Sequence, residues 1–400
     1  MKFEALQARY GDCLLLTFEG TDRPYRLLVD GGPGRVFDTS LSRRLERERQ
    51  GQSSEPVTID AVMVSHIDED HILGILDLFA VLQEAEQRRS PPPYKVRWLL
   101  HNSFDAMAGE GEGGTARTLG GETVLASFGA SGIMPLPGNK TANETAMKVL
   151  ASYPQGSRLS TMAAALHISR NPPDQQVLML KGSQPRTLRI GEAKLRILGP
   201  LEREVTKLRS EWSKWRAKKQ RNEADAEAAK ALAAYLDTSV PNLSSIVALI
   251  ESGPSRILLT GDARGDKVLA GLEQAGMQKR GGDPLKVDIL KLPHHGSSRN
   301  VDLDFFERIH ANHYVASGDG TYGNPDRGTL DMLRKARPQG GYTIHLTYPA
   351  EQCDATFADW LRMRGRSFDP ASDSIAPVIQ AWRSEGLVNV SEGPVEIRLQ

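Results

Sequence analysis

The chain has 400 residues, and its 50 Lys and Arg balance its 50 Asp and Glu, so no global field draws it to nucleic acid or to an anionic membrane. Apolar residues make up 39% and charged residues 25%, ordinary for a folded globular protein, and no apolar run approaches the roughly 20 residues of a membrane-spanning helix. Cys13 and Cys353 are the only thiols, without metal or redox spacing, and read as small core residues in a reducing compartment. With no secretory apolar region at Met1-Lys2-Phe3-Glu4-Ala5, the expected location is cytoplasmic.

Phe3 to Ala8 alternates and Cys13 to Phe18 is apolar; with Gly11-Asp12 between them they predict a hairpin. Arg26 to Val29 predicts a third strand running into Asp30-Gly31-Gly32-Pro33-Gly34. An Asp at a strand end followed by glycines suits a carboxylate under a site with backbone passing close above it. A turn with a helpful Asp explains it equally well when taken alone. Residues 38–50 read as a charged helix, Ala61 to Val64 as a buried strand, and 72–88 as a helix stopped by Ser90-Pro91-Pro92-Pro93.

Between that strand and helix lies Ser65-His66-Ile67-Asp68-Glu69-Asp70-His71. Acids at a helix start favour its dipole, which accounts for Asp68, Glu69 and Asp70 but not for His66 and His71. Imidazole and carboxylate together suit a divalent cation, at the carboxyl end of a strand where open sheets place their ligands.

Val96 to Leu100 predicts another strand. From 105 to 175 the pattern loosens into a glycine-rich loop and helical candidates near 118–128, 141–152 and 158–168, a cap-like insertion; His167 within it reads as packed or solvated. Strands follow near 187–190 and 194–198. Residues 201–236 are a charged helical insertion carrying Trp212 and Trp215, whose basic run could contact nucleic acid but reads better as a solvated helix with its Trp side packed on the body. Strands at 246–250, 257–259 and 287–292 come next. The second leads into Thr260-Gly261-Asp262 and the third into Pro293-His294-His295-Gly296-Ser297. Candidates at 342–346 and 395–399 would complete a second sheet, with His345 structural. One strand end bearing ligand-type side chains is common, but this chain has four.

In order and spacing these motifs resemble the metallo-β-lactamase-fold hydrolases, and within them the hydrolase domain of the competence channel ComEC. The resemblance rests on Ser65 to His71, Asn242 to Ser245, Leu258 to Asp262, Leu290 to Ser297, and Tyr322-Gly323-Asn324-Pro325. It implies a single α/β domain over 1–400, a four-layer αββα sandwich with 105–175 and 201–236 as helical insertions. It also implies two divalent metal ions, Mn²⁺ or Zn²⁺ with Mg²⁺ possible. Asp70, His71 and His294 would hold one, His66 with Asp68 the other, and Asp262 would bridge them. Asp70 and His295 are the catalytic candidates, His295 as a proton donor. Asp30, Asn242, Ser245 and Ser297 are expected behind the metals or toward substrate, with Ser297, Ser298 and nearby amides available to an anionic oxygen.

The sequence departs from the family at two places, with Asp68 where a second His is usual and Asn242 near the place of an isolated His. Both changes exchange nitrogen for oxygen ligands, toward harder cations. The expected activity is cleavage of a phosphodiester, in nucleic acid or a nucleotide, by water activated between the ions. The alternatives are hydrolysis of a carboxylic ester, lactone or amide, and a non-catalytic metal-binding scaffold. ComEC's transmembrane channel has no counterpart here, so DNA uptake is not implied, and protein partners are unknown.

Overall fold

A computed structural model describes residues 1–49, 55–111, 154–220 and 245–400. Two mixed sheets face each other. The first has seven strands in the order Val395–Arg398, Lys2–Ala5, Leu14–Phe18, Tyr25–Val29, Val57–Val64, Tyr94–His101, Ser169–Arg170. The second has eight, in the order Val388–Glu392, Tyr342–Leu346, Ile309–Ala316, Leu285–Lys291, Ser255–Leu259, Val247–Ser252, Ala193–Gly199, Thr187–Ile190. Each sheet joins an antiparallel half to a parallel half.

Three apolar clusters define the layers. Phe3, Leu16, Leu27, Met63 and Leu100 from the first sheet meet Leu195, Ala248, Ile257, Ile289 and Val315 from the second. The outer face of the first sheet buries Val62 and Val64 under Ile72, Ile75 and Phe79 of the helix Glu69–Gln87. The outer face of the second buries Leu249, Leu258 and Leu290 under Val268, Leu272, Phe305 and Ile379. Val57–Val64 is buried along almost its whole length because both its faces are covered, hence its unbroken apolar sequence. The architecture is the α/β αββα sandwich expected.

Several expectations change in detail. Val395–Arg398 pairs with Lys2–Ala5 and so finishes the first sheet, not the second. Ile309–Ala316, unrecognised in the sequence because His310, Asn312 and His313 interrupt its apolar pattern, is a central parallel strand of the second. The helix expected over 72–88 begins at Glu69, which puts Asp70 and His71 in its first turn. Residues 154–165 are helical near the expected 158–168, while the candidates at 118–128 and 141–152 lie outside the described residues. Trp212 is buried on the helix Glu202–Gln220, its ring 5.5 Å from Phe104 and its indole N–H donating to Glu110, while residues 221–236 of the expected insertion lie outside the described residues. Cys13 and Cys353 are both buried. Among the described residues no helix is long and apolar enough to cross a membrane.

The loop after Val29 crosses the helix Glu69–Gln87 at Gly31 and Gly74. Gly31 N–H donates to His71 O at 2.7 Å and Gly74 N–H to Gly32 O at 3.1 Å. A Cβ on Gly74 would lie 2.0 Å from Gly31 O, backbone that cannot swing aside. Gly74→Ala is therefore expected to destabilise the fold by about 1–3 kcal/mol or more, read by urea denaturation. The same shift would displace His71 from Asp30.

Candidate metal centre

The site lies along one edge of the sandwich, at the carboxyl ends of the parallel strands of both sheets. Tyr25–Val29 delivers Asp30, Val57–Val64 delivers Ser65 and His66, and Ser255–Leu259 delivers Asp262. Leu285–Lys291 delivers His294 and His295, and Ile309–Ala316 delivers Ser317. Asp68 caps the helix Glu69–Gln87 by its backbone alone, with no hydrogen bond from its carboxylate to the helix. Those oxygens are thus left for the site rather than spent on the helix terminus.

Asp262, 3% exposed, stands at the centre. Its Oδ1 is 3.3 Å from His71 Nε2 and 3.7 Å from His295 Nε2. Its Oδ2 is 3.6 Å from both His66 Nε2 and His294 Nε2. Asp70 Oδ2 lies 3.3 Å from His295 Nε2 and 3.9 Å from His71 Nε2, while Asp68 Oδ2 lies 3.7 Å from His66 Nε2. Two groups thus share Asp262, one facing each of its oxygens.

Four of these atoms, His66 Nε2, His71 Nε2, His295 Nε2 and Asp262 Oδ1, are buried with no hydrogen-bond partner. Buried polar atoms are nearly always satisfied, so four converging orphans mark a place for a ligand they share. Nitrogen and oxygen donors at these spacings fit divalent cations.

Behind the donors the support is built in two parallel chains. Asp30 Oδ2 accepts from His71 Nδ1 at 2.9 Å, and both Asp30 oxygens accept from Ser65, N–H and O–H at 2.7 Å each. That fixes the His71 ring with Nε2 toward Asp262. Asp30 itself has φ +58, a left-handed conformation that Asp tolerates better than most residues. On the other side, Asp12 Oδ1 lies 3.4 Å from His295 Nδ1 and accepts from Ser317 Oγ, and its Oδ2 pairs with Lys291 Nζ at 2.8 Å. Asp12 and Lys291 are each 1% exposed.

In the sequence Asp12 marks only a hairpin turn. Gly11 brings it in, since a Cβ there would stand 2.0 Å from Asp70 O, so the turn lies flat on the start of the helix Glu69–Gln87. Asp12 N–H donates to that same oxygen at 3.2 Å. A Gly-Asp pair at a hairpin tip is a weak signal, and the Lys291 that answers it lies far along the chain.

Pro293 and Gly296 enclose His294 and His295, both left-handed at φ +47 and +56. Such backbone costs about 1–3 kcal/mol per residue and persists only where the surroundings hold it. Here His294 N–H donates to Gly261 O at 3.1 Å and Ser297 N–H to His294 O at 3.0 Å. The bend aims both rings at Asp262 from adjacent positions, His295 buried and His294 37% exposed at its side chain.

Ser245 Oγ accepts from Asp262 N–H at 3.2 Å, holding the central carboxylate from behind. Asn242 lies outside the described residues. The amides of Ser297 and Ser298, expected to face an anion, are engaged by His294 O and by Asp326 Oδ2.

The charges are strongly coupled. Burial works against a proton on His71, but Asp262, Asp30 and Asp70 outweigh it and raise its pKa well above the ordinary value. His295 follows the same balance, with Asp12 and Asp262 pushing it up to about 9 against burial. Burial and the neighbouring His71 bring His66 down to about 4. Desolvation, Asp70 and Asp262 push Asp68 up to about 7.

Asp30→Asn keeps the left-handed backbone and the shape but takes away the charge that holds His71. It is expected to weaken divalent-metal affinity 10–100-fold with little loss of fold, read by competition with a chromophoric chelator.

Fold and side chains together define an αββα sandwich with a candidate divalent-metal centre on one edge. No protein-family model matches the chain. Mouse microtubule-associated protein 1A is 38% identical over 79 residues, 20% of this chain and 3% of that protein. The human protein is 42% identical over 67 residues, 16% and 2% respectively. The chain thus spans only a few per cent of the length of these curated relatives.

Among solved structures, CmlA, a diiron β-hydroxylase from Streptomyces venezuelae, aligns over 99% of this chain and 54% of its own at 12% identity and a TM-score of 0.36. Zn²⁺-bound PqqB from Methylobacterium extorquens aligns over 97% and 87% at 12% identity and 0.33. Likenesses this distant carry nothing about the reaction.

Proposed function

We propose that the chain is a divalent-metal-dependent hydrolase acting on phosphodiesters. The observation that supports it most is the meeting of His66, His71 and His295 Nε2 with Asp262 Oδ1, buried and unpartnered. Asp70, His71, His295 and Asp262 would hold one ion, and His66, Asp68, His294 and Asp262 a second. This allocation follows which oxygen of Asp262 each ring faces. It makes His295 a ligand instead of a proton donor.

Cations bound there would supply Lewis acidity and acidify water. The chain's own part is orientation and charge. Asp30 and Asp12 hold the Nδ1 sides of His71 and His295, leaving both Nε2 atoms directed inward. Asp68, Asp70 and Asp262 bring three negative charges against the four positive charges of two divalent ions. The loaded site would stay positive enough to accept an anionic diester. With two imidazoles and two carboxylates for each ion, the mixture favours Mn²⁺ or Zn²⁺ over Mg²⁺.

The test is elemental analysis followed by turnover of bis(p-nitrophenyl) phosphate and single-stranded DNA. The expected result is stoichiometric metal and Mn²⁺-stimulated cleavage. Turnover of a lactone or thioester panel with neither diester cleaved would move the activity to carboxylic esters. Metal-free protein with no turnover at all would leave a scaffold.

Metal uptake should also release protons. His295 holds one up to about pH 9 and His71 binds its own tightly, while cations need both rings unprotonated. Apparent affinity is therefore expected to climb from pH 6 to 9, up to about tenfold per pH unit for each proton displaced. Calorimetry in buffers of different ionisation enthalpy measures the release. The metal-free fold shows the opposite sign for these two histidines. Their stabilisation is present below the ordinary value of 6.5 and lost as pH rises through the raised values.

A further inference from the structure

At the mouth of the metal centre stands a row of aromatic rings that holds none of its ligands. Tyr10 immediately precedes Gly11, which lies against the backbone of Asp70. The Tyr322 ring meets Tyr10 edge-on at 5.4 Å between centroids and 83°, and meets Trp360 at 5.6 Å and 76°. Phe357, one helical turn before Trp360, stacks beside it at 6.0 Å. Guanidinium groups lie over the two end rings, Arg9 5.2 Å from the Tyr10 centroid and Arg364 4.0 Å from the Trp360 centroid.

Rings that served packing alone would be covered, as Phe305 and Phe306 are, yet Tyr322 stays 41% exposed. Its backbone has φ +69, a conformation a bulky residue holds only under constraint and one that concentrates at ligand sites. The loop bearing it is tied to the centre, since Asn324 Nδ2 donates to His294 O at 3.3 Å. Of the nearby acids, Asp319 accepts from Thr321 N–H at 3.0 Å and Glu69 from Gln155 at 3.2 Å.

We propose that the exposed Tyr322 ring, backed edge-on by Tyr10 and Trp360, stacks an unpaired nucleobase beside the diester at the metal centre, with Arg9 and Arg364 on the flanking phosphates. It rests on the phosphodiesterase reading and narrows the substrate to single-stranded nucleic acid, whose bases alone have free faces. An aromatic face and a guanidinium together match a base and its phosphate, and stacking of this kind tolerates any base.

The experiment measures binding of labelled oligothymidylate, oligouridylate and an abasic phosphodiester oligomer of the same length by fluorescence anisotropy. Turnover of bis(p-nitrophenyl) phosphate is measured beside it. Wild type is compared with Trp360→Ala, Trp360→Phe and Tyr322→Gly, the last relieving the strained backbone as it removes the ring.

Trp360→Ala and Tyr322→Gly are each expected to weaken binding of the base-bearing oligomers about tenfold or more. Trp360→Phe should restore most of it. Wild type should bind the abasic oligomer weakly, and no better than the variants do. A preference between the thymidylate and uridylate arms assigns DNA or RNA.

Equal binding of abasic and base-bearing oligomers overturns the stacking subsite, as do unaltered Trp360→Ala binding and no oligomer binding by wild type. Ring-dependent binding with no diester turned over would uphold the subsite and sink the hydrolase reading. Diester turnover with ring-independent binding would do the reverse.

Discussion

Asp262→Ala is expected to cut metal-dependent diester turnover about a thousandfold or more, equivalent to roughly 4 kcal/mol of transition-state stabilisation. The size follows from where Asp262 stands. Its two oxygens face four imidazoles within 3.7 Å, two on each oxygen. Removing it separates the two halves of the centre, whereas losing one histidine leaves the rest of its group in place. Elemental analysis of the purified variant should show the metal content falling with the activity. Asp262→Asn, which keeps the shape and one oxygen, should retain part of the metal and little of the rate. Full turnover in Asp262→Ala would remove the centre from the reaction.

The second large effect concerns Asp12 and Lys291, both almost wholly buried and 2.8 Å apart. Lys291→Met should destabilise the protein by about 3–5 kcal/mol, because it strands the Asp12 carboxylate out of water with only His295 and Ser317 to answer it. Asp12→Asn should do the same to the lysine, which keeps only the Leu292 carbonyl at 3.0 Å. The double variant is expected to recover a large share of the loss, since neither charge is then left alone. Urea denaturation of the four proteins gives the coupling. Metal affinity separates stability from site geometry. Asp12→Asn should lower it through His295 even where the fold survives, whereas Lys291→Met should act on stability first.

Much of the centre was legible because its donors sit at strand ends, where short apolar runs stop at residues no core would accept. His66, Asp68, Asp70 and His71 could be read that way, as could Asp262 and the two adjacent histidines. The hidden part had a common cause. Asp12 looks like any hairpin acid, and its meaning comes from Lys291 on the other sheet, a pairing no local pattern encodes. Ile309–Ala316 was hidden because one face of its first half is open, and His310, Asn312 and His313 stand there half-buried or exposed. The left-handed turn at His294 and His295 was also out of reach. Pro and Gly marked a bend without saying which of the two rings would end up covered.

The donors come from both sheets. Asp68, Asp70 and two imidazoles belong to the early half of the chain, and Asp262 with the other two imidazoles belongs to the late half. A ribosome therefore exposes the first set, unanswered, well before the second is made. Any ion caught midway would be held by half a grip, and tight capture must wait for the two layers to close. Once seated, it would rivet one layer to the other, so chelators should loosen the whole sandwich and not merely silence it.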